Sequence, residues 1–567
     1  MTTLVPSGAD RFHSDRRESS ADPYRLAIIG AGPRGLQCGE AIASQLANAG
    51  PRPRTEITYF EPARCPGAGA VYSPDQPNFL LMNFPAAAID RSFPSSDSGQ
   101  TPGFIEWLAR EDREAISPGA FLPRATVGRY LSYRFQRLRH RLAAAGICCR
   151  VIPHAVMNVS PAENQWRCQT AAGVEAFDQI VFTIGHGLRW RRRTEAATGD
   201  TLLPAYPTAT NLGPANIAPG ASVAVRGFAL TCIDVCLALT QGRGGCFFSN
   251  GQYRWSYLPS GKEPGSILPF SGTGRPMQPK PDYRQWRVAG ASTSIWPRFQ
   301  SQLTGLEGPS GEEVAGVVFD AADAALADYA QNFGLERPAS GVARRWFDRF
   351  CQPKTPEEIV RWMRRSIRIA AGKRPADAGW ALGEAWRQLY PTLVAQFSFG
   401  RHGEAAWQSI AKFSREMERL AFGPPIENAA KLVALVDHGV LDLRHCGDHS
   451  RLLSEHGHRI VTAAVETKVD RVVDAVLPSG AETCNNEVAG GLLPESIALK
   501  TTPGGAMQTS RGGEPLKSDG TRIESVRCFG RVAEGWVIGH DTLNRSLHNQ
   551  IDTWATGLAM QLTRSNS

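Results

Sequence analysis

The stretch Tyr24–Glu61 limits the possible fold more than any other part of the chain. It begins with an apolar run and continues into the glycine turn Gly30–Gly35, which reads GAGPRG. An amphipathic segment follows, and then a second apolar run that ends on Glu61. The order of strand, glycine turn, helix, strand and acid is typical of a dinucleotide-binding βαβ unit. We therefore predict an α/β fold organised around a nucleotide-binding sheet.

Each position of this unit has a physical role. Gly30 allows the tight turn, Gly32 lets the backbone approach a pyrophosphate, and Gly35 lets the helix pack against the strand. The positive helix N-terminus faces the phosphates. Glu61 is predicted to accept hydrogen bonds from a ribose hydroxyl. It follows Gly35 later than the usual ~20 residues, and the loop 49–54 takes up the excess. The alternative interpretation is a glycine turn without a ligand.

The composition indicates a globular protein of several domains. The chain has 567 residues, of which 42% are hydrophobic and 20% charged. A net charge of +8 is small for this length and does not favour a nucleic-acid partner. The 12 cysteines form no CxxC pair and no zinc-binding spacing, which favours a reducing cytoplasm and predicts no metal site. No apolar run reaches ~18 residues, so we expect no membrane span. The partner that we expect is a small-molecule substrate.

A second strand–turn–helix pattern begins at Ser222. Its turn keeps Gly227 but has Ala229 where a pyrophosphate would need a glycine. The pattern predicts a nicotinamide-binding unit, and the alternative is a Rossmann-like unit that has lost its ligand. Three cations are candidates for contact with a 2′-phosphate: Arg226, Arg243 and Lys262.

Two later segments add to the first unit. A buried strand over 179–184 runs into Gly185 in a Thr-x-Gly sequence, which is typical of flavoproteins with two dinucleotide-binding domains. Near the C-terminus, Gly530 ends a short strand, and Trp536–Thr542 is predicted to open the last helix with Asp541 as its N-cap. We therefore expect the C-terminal segment to complete the first nucleotide domain.

These segments together resemble a bacterial family of FAD/NAD(P)-binding proteins that is distantly related to N-hydroxylating flavin monooxygenases. That family includes the nitrosuccinate-forming L-aspartate N-hydroxylases. The similar pieces run through nearly the whole chain: Ile29–Gly35, Leu80–Asn83, Val181–Gly187, Val223–Thr231, Gly242–Gly245, Pro259–Pro264 and Gly530–Thr542. The resemblance implies FAD reduced by NAD(P)H, most simply NADPH, and a monooxygenase reaction through a flavin C4a-hydroperoxide on an amine-bearing substrate.

The resemblance also implies a set of site residues. The predicted cofactor-binding residues are Gly30, Gly32, Pro33, Arg34, Gly35, Glu61, Met82, Asn83, Gly185, Gly227, Arg243, Gly530, Gly539, His540 and Asp541. Asn83 and His540 are also the catalytic candidates. The Asn83 amide would meet the flavin ring edge, and His540 would shuttle a proton. The alternative interpretations are a turn-forming asparagine and a structural histidine.

The predicted architecture is a two-dinucleotide-binding flavoprotein with a Rossmann-like FAD domain, a second Rossmann-like domain and a helical insertion. We assign residues 1–22 to a disordered tail, 23–190 and 441–567 to the FAD-binding domain, 200–290 to the NAD(P)-binding-like domain, and 291–440 to a helical substrate or lid domain. Helical periodicity predicts helices over 314–333, 356–371, 379–397 and 404–421.

Two other functions remain open at this point. A flavin oxidase or dehydrogenase would take electrons from its substrate and need no nicotinamide site, and the Gly227/Ala229 turn favours this alternative. The other is a flavin-binding protein with a regulatory or scaffolding role. A methyltransferase would also begin with a glycine turn and an acid, but would not need the Thr-x-Gly strand end or the C-terminal glycine–aspartate segment.

Overall fold

A computed structural model describes residues 22–47, 50, 52–95, 101–112, 116–186, 193–194, 201–283, 293–447, 450–454, 457–462, 465–478, 493–494, 496–540 and 542–564. Residues 1–21 of the predicted tail and Asp541 lie outside the described residues. Every helix within these ranges is too short or too polar to serve as a membrane span.

The strands are β1 Tyr24–Ile29, β2 Thr55–Phe60, β3 Leu81–Pro85, β4 Phe121–Pro123, β5 Cys148–Ile152, β6 Val156–Ala162, β7 Gln165–Thr170, β8 Gly173–Phe177, β9 Gln179–Phe182, β10 Arg193–Thr194, β11 Thr201–Pro204, β12 Ser222–Arg226, β13 Cys246–Ser249, β14 Trp255–Leu258, β15 Ser266–Phe270, β16 Arg451–Leu453, β17 Arg459–Val461, β18 Glu466–Lys468, β19 Arg471–Asp474 and β20 Val526–Cys528.

The α-helices are α1 Pro33–Leu46, α2 Ala86–Ser92, α3 Phe104–Asp112, α4 Arg124–Ala144, α5 Thr208–Asn211, α6 Leu230–Leu239, α7 Trp296–Thr304, α8 Gly311–Asn332, α9 Val342–Phe350, α10 Pro356–Ala370, α11 Ala378–Phe397, α12 Glu404–Ala421, α13 Ile426–His438 and α14 Gln550–Arg564.

The first sheet has five parallel strands in the order β20-β9-β1-β2-β5. Strand β1 lies in the middle and is wholly buried over Leu26–Ile29, as expected for a parallel strand covered on both faces. Helix α1 connects β1 to β2, which is the predicted βαβ unit. Strand β20 brings the C-terminal part of the chain into this sheet, and α14 packs on α1 in the same core.

The second sheet has the order β10-β11-β19-β12-β15 and is parallel except for β10. Strand β12 lies between β15 and β19, although β19 follows it by more than two hundred residues in the chain. Helix α6 follows β12 and packs its buried side chains into the same core. The two sheets confirm the predicted α/β fold with two dinucleotide-binding units.

The predicted helices over 314–333, 356–371, 379–397 and 404–421 correspond to α8, α10, α11 and α12. Capping boxes begin two of them, at Ser310 and Thr355. Five helices, α7, α8, α9, α11 and α12, share one apolar core. Helices α10 and α13 pack against the second sheet unit, through Ile359, Met363 and Leu435 among others, and α10 also adds Ile369 to the core of those five helices. The helical part of the chain is therefore divided between two cores.

The prediction that Trp536–Thr542 opens the last helix is wrong. Helix α14 begins at Gln550, and Gly539 has the left-handed φ of +65°. The Ile538 N–H donates to Ser398 Oγ at the end of α11, 3.2 Å away. Because these contacts hold the segment as a loop, Gly539 and His540 do not lie at a helix N-terminus.

Candidate cofactor site

A cavity of about 620 Å³ lies at the carboxyl ends of β1, β2, β9 and β20. This is the edge at which open parallel sheets bind ligands, and the volume is within the ~300–1,000 Å³ of small-molecule sites. The lining residues come from both ends of the chain: Ile29, Gly30, Gly32–Arg34, Phe60–Ala63, Ala68–Tyr72, Ala155–Met157, Thr183–His186, Tyr206, Pro207, Phe529–Arg531, His540, Thr542 and Leu543.

Gly30 and Gly35 are glycines because of contacts within the protein. Gly30 has a φ of +100°, and a Cβ there would lie 2.5 Å from the Thr183 carbonyl oxygen. A Cβ on Gly35 would lie 2.2 Å from the Gly30 carbonyl oxygen. Thr183 Oγ1 donates to that same oxygen at 2.6 Å. The Thr-x-Gly end of β9 therefore holds the glycine turn in place.

Gly32 is different, since no contact within the protein requires a glycine there. Its φ of −75° and ψ of −166° suit any residue. The nearest described atom to an added Cβ is Gly69 Cα, at 3.7 Å. Gly32 nevertheless lines the cavity as the N-cap of α1. A ligand that approaches the backbone and the helix N-terminus closely explains this glycine, and a dinucleotide diphosphate is such a ligand.

Glu61 is buried at the end of β2 and links two loops. Its Oε2 accepts from the Ala31 N–H and its Oε1 from the Ala63 N–H, each at 2.9 Å. Burial raises the pKa of the Glu61 carboxyl, against the two N–H donors, which lower it. The carboxyl group thus braces the glycine turn as well as lining the cavity. Its contact with a ribose stays a prediction.

His540 lies beside the cavity as a neutral imidazole. The Gly530 N–H donates to His540 Nδ1 at 3.2 Å, so the ring proton is on Nε2. Burial, with smaller effects of Arg34 and His548, lowers the pKa of His540 well below its usual value. The His548 ring lies edge-on, with the ring centroids 5.0 Å apart. The predicted proton-shuttle role of His540 stays a prediction.

Arg34 connects the start of α1 to the C-terminal segment. Its Nη2 donates to the Thr542 carbonyl oxygen at 2.7 Å. Gly530 lies alongside, since a Cβ there would be 3.2 Å from Arg34 Cγ. Pro33, at the first helical position, and Gly185 also line the cavity. The structure therefore brings together most of the predicted cofactor-binding residues, from four separate parts of the chain.

Met82 and Asn83 lie outside the described lining of this cavity. Met82 is 2% exposed and belongs to the core beneath the first sheet. The Asn83 side-chain amide donates to the Phe422 carbonyl oxygen at 3.1 Å, between α12 and α13. Gly539 stands next to Tyr390, whose hydroxyl oxygen would be 2.9 Å from an added Cβ. The flavin contact of Asn83 stays a prediction.

Sequence reasoning missed the side chains that join the two nucleotide units beside the cavity. Tyr206 lines the cavity and accepts from Arg124 Nη1 at 2.9 Å. Its own hydroxyl donates to Asp234 on α6, and Arg124 Nη1 lies 2.5 Å from an Asp234 carboxylate oxygen. No local pattern marks these residues, because only the tertiary fold brings the first residue of α4, Tyr206 and α6 together.

At the second turn, one of the cations predicted to contact a 2′-phosphate is bonded to a carboxylate of the protein. Gly227 has a φ of +107°, and its N–H donates to the Phe270 carbonyl oxygen at 2.8 Å. Arg226 makes a two-point bond to Asp474 at 2.9 and 2.8 Å. Arg226, one of the two arginines that were candidates for a 2′-phosphate, is therefore engaged within the protein.

Arg243 is bonded to backbone carbonyl groups of the protein. It is 8% exposed, and its guanidinium donates to the carbonyl oxygens of Leu212, Ile217 and Lys262 at 2.9, 2.8 and 3.0 Å. These bonds turn the side chain into the protein, and its contact with a cofactor phosphate stays a prediction. Lys262 is exposed at the surface.

The fold and the site define a dinucleotide-binding protein of the flavoprotein type. The space at Gly32 is open to a ligand, and the buried acid Glu61 follows the end of β2. The model of a family described as FAD-NAD(P)-binding matches residues 27–187. That range contains the glycine turn, Glu61 and the Thr-x-Gly end of β9.

Two curated relatives match most of the chain. The L-aspartate N-monooxygenase (nitrosuccinate-forming) of Streptomyces cremeus is 26% identical over 626 residues, covering 93% of this chain and 87% of the relative. The enzyme of the same description from Streptomyces davaonensis is 24% identical over 559 residues, covering 80% and 82%. Among solved structures, L-lysine 6-monooxygenase from Pseudomonas syringae aligns over 96% of this chain and 99% of its own, at 13% identity and a TM-score of 0.43. The relatives confirm the predicted resemblance, and the chain is an FAD-dependent oxidoreductase.

Proposed function

We propose that the protein is an NADPH-using, FAD-dependent monooxygenase that oxidises the amine of L-aspartate or of a closely similar amino dicarboxylic acid. The observation that carries the substrate is the pair of L-aspartate N-monooxygenase relatives, aligned over 93% and 80% of the chain. Those alignments extend well beyond the FAD-binding range of 27–187. The open space at Gly32 supports FAD as the cofactor independently of the relatives.

The residues fit a bound FAD. Gly32 and the N-terminus of α1 would hold the diphosphate, and Glu61 would meet the adenosine ribose. When bound, the flavin supplies electrons from NADPH and activates O2. One oxygenation would convert the amine to a hydroxylamine and consume one NADPH, one O2 and one proton, with NADP⁺ and water as the other products. His540, neutral with its proton on Nε2, would donate a hydrogen bond at the edge of the site.

The helical part of the chain contacts the loop beside the cavity, and these contacts favour a substrate pocket there. The Phe399 N–H donates to the Trp536 carbonyl oxygen at 3.0 Å. Tyr390 on α11 stands against Gly539, next to His540. These contacts place the end of α11 over the loop that borders the cavity, where a cover would exclude water from the reacting groups. We therefore assign the substrate domain to this part of the 291–440 segment.

The test is a stopped-flow study of the FAD-loaded protein. Under anaerobic conditions NADPH should bleach the flavin absorbance, and mixing with O2 and L-aspartate should reoxidise it with formation of an N-oxidised product detected by mass spectrometry. Reduction of the flavin by a substrate in the absence of NADPH would contradict the proposal. It would favour the oxidase alternative, which Ala229 and the engaged Arg226 support.

A further inference from the structure

Lys280 is a buried lysine without a counter-ion. It is 4% exposed, and no carboxylate of the described residues pairs with it. Its ammonium nitrogen lies 4.5 Å from the centroid of the Phe84 ring and 5.9 Å from that of Phe422. Lys431 provides a contrast, since it is 6% exposed but its ammonium pairs with Glu427 at 2.8 Å. Within the part of the chain that the structure describes, the Lys280 ammonium thus faces two aromatic rings and no carboxylate.

The charged groups around Lys280 have other partners. Arg387 on α11 pairs with Glu384 at 2.8 Å and donates to the Ala421 carbonyl oxygen at 3.0 Å. Asp282 accepts from the Tyr253 hydroxyl. On α12, Arg419 lies 3.6 Å from Glu416, which also pairs with Arg275. Burial, and to a smaller extent Arg387, lowers the pKa of Lys280 to about 7.

An isolated charge in such a place is costly, because burial removes its hydration and no anion replaces it. A leucine or methionine would pack between Phe84 and Phe422 without that cost. Buried lysines of this kind are functional-site candidates for this reason. The missing partner at Lys280 is an anion.

A chain of side-chain contacts links Lys280 to the border of the cofactor cavity. The Phe422 ring contacts the Tyr390 ring with centroids 5.0 Å apart. Tyr390 in turn stands against Gly539, which precedes the cavity-lining His540. On the other side, the Asn83 amide donates to the Phe422 carbonyl oxygen. Lys280 is therefore outside the described lining of the cavity, but a chain of contacts through Phe422, Tyr390 and Gly539 connects it to the border of the cavity.

We infer that Lys280 binds a carboxylate of the amino acid substrate, in an apolar-walled subsite formed by Phe84 and Phe422 next to the flavin site. This inference rests on the proposed function, because an amino dicarboxylate brings the anion that the subsite lacks. Arg387 is already paired with Glu384, whereas Lys280 has no carboxylate partner among the described residues. The rings exclude water and strengthen the ion pair.

Calorimetric titration of the FAD-loaded protein with succinate and with L-aspartate tests the inference. Succinate carries both carboxylates but no amine, so it isolates anion binding. Lys280→Met should weaken both Kd values about 10- to 100-fold, the scale of a hydrogen-bonded charge pair. Lys431→Met, which removes a buried lysine that has a partner, should change them less than about twofold. Flavin content of each variant checks the fold.

The pH dependence of succinate binding is a second readout. Above a pKa of about 7 the Lys280 amine loses its proton, and a neutral amine cannot pair with a carboxylate. Wild-type affinity should therefore fall as the pH rises from 7 to 9, by up to about tenfold per unit. Lys280→Arg keeps its charge throughout this range, so it should bind succinate with little pH dependence.

The outcomes separate the inference from the proposed function. If wild type oxidises L-aspartate but Lys280→Met binds both ligands unchanged, the inference is overturned and the proposed function stands. If succinate binds in a Lys280-dependent way but L-aspartate is not oxidised, the anion subsite stands and the proposed function is overturned. If wild type binds neither dicarboxylate, both are overturned.

Discussion

Gly32 and Gly35 stand three residues apart in the same turn, but different atoms would meet a side chain at each. At Gly35 the added carbon would collide with the Gly30 carbonyl oxygen at 2.2 Å. At Gly32 it would find open cavity, with its nearest neighbour 3.7 Å away. The fold therefore needs Gly35, whereas we propose that the cofactor is what requires Gly32.

We expect Gly32→Val to fold but to lose FAD, because the branched side chain would occupy the place of the diphosphate. FAD occupancy of the purified variant should fall to below about a tenth of wild type, as measured by flavin absorbance against protein concentration, while the circular dichroism stays unchanged. Gly557→Val adds the same atoms in open space on α14 and should keep its flavin. Full occupancy in Gly32→Val would show that the FAD site has been misplaced.

At the scale of elements, the second strand–turn–helix unit keeps its shape but has a different turn. Ala229 is the N-cap of α6, with φ −114° and ψ −159°, which any residue adopts. Asp234 in the following turns is bonded to Arg124 and Tyr206. The Ala229 methyl group is thus the difference between this turn and one that lets a pyrophosphate reach the helix N-terminus.

We expect side-chain size at position 229 to set the rate of flavin reduction by NADPH. Ala229→Gly should raise the anaerobic reduction rate at subsaturating NADPH by about two- to tenfold, and Ala229→Val should lower it by at least tenfold, since a branched side chain keeps the diphosphate away from the N–H groups of α6. Stopped-flow absorbance measures both. Rates that do not change with size at this position would rule out NADPH binding at this turn.

For the whole molecule, the cluster of Arg124, Tyr206 and Asp234 joins the two nucleotide units beside the cavity. The Arg124 and Asp234 side chains are 13% and 3% exposed. Burial raises the pKa of the Asp234 carboxyl, while Arg124 opposes that effect. Tyr206 contacts both partners and also lines the cavity. The same polar cluster therefore joins the two nucleotide units and borders the candidate cofactor site.

Arg124→Met should lower the free energy of unfolding by roughly 3–5 kcal/mol, because it leaves Asp234 charged, buried and without its cation. The double variant Arg124→Met with Asp234→Leu should recover much of this loss. Urea denaturation followed by tryptophan fluorescence measures both. Arg110→Met, which breaks an exposed pair with Glu106, should cost less than about 1 kcal/mol. A loss of that small size in Arg124→Met would contradict the structural role of the cluster.

Local patterns in the sequence were sufficient for the βαβ unit, the Gly227 turn and the four long helices. Each of these depends on backbone preferences and on apolar periodicity within a few turns of chain. The glycine pattern of Gly30–Gly35 likewise predicted a ligand site, and the structure has a cavity at this turn. The prediction failed at the last helix, because Ile538 donates a hydrogen bond to Ser398 at the end of α11 and Gly539 takes a left-handed φ, so this segment is a loop.

The sequence by itself determined that two dinucleotide-binding units and a helical segment are present, because each is encoded by residues close together in the chain. Only the tertiary structure decided what the charged side chains do. Arg243 bonds to carbonyl groups, and Arg226 bonds to an aspartate from a distant strand. Lys280 is buried with no carboxylate of the described residues beside it. The reason is physical: the energy of a charge depends on its burial and on partners that folding brings from far along the chain.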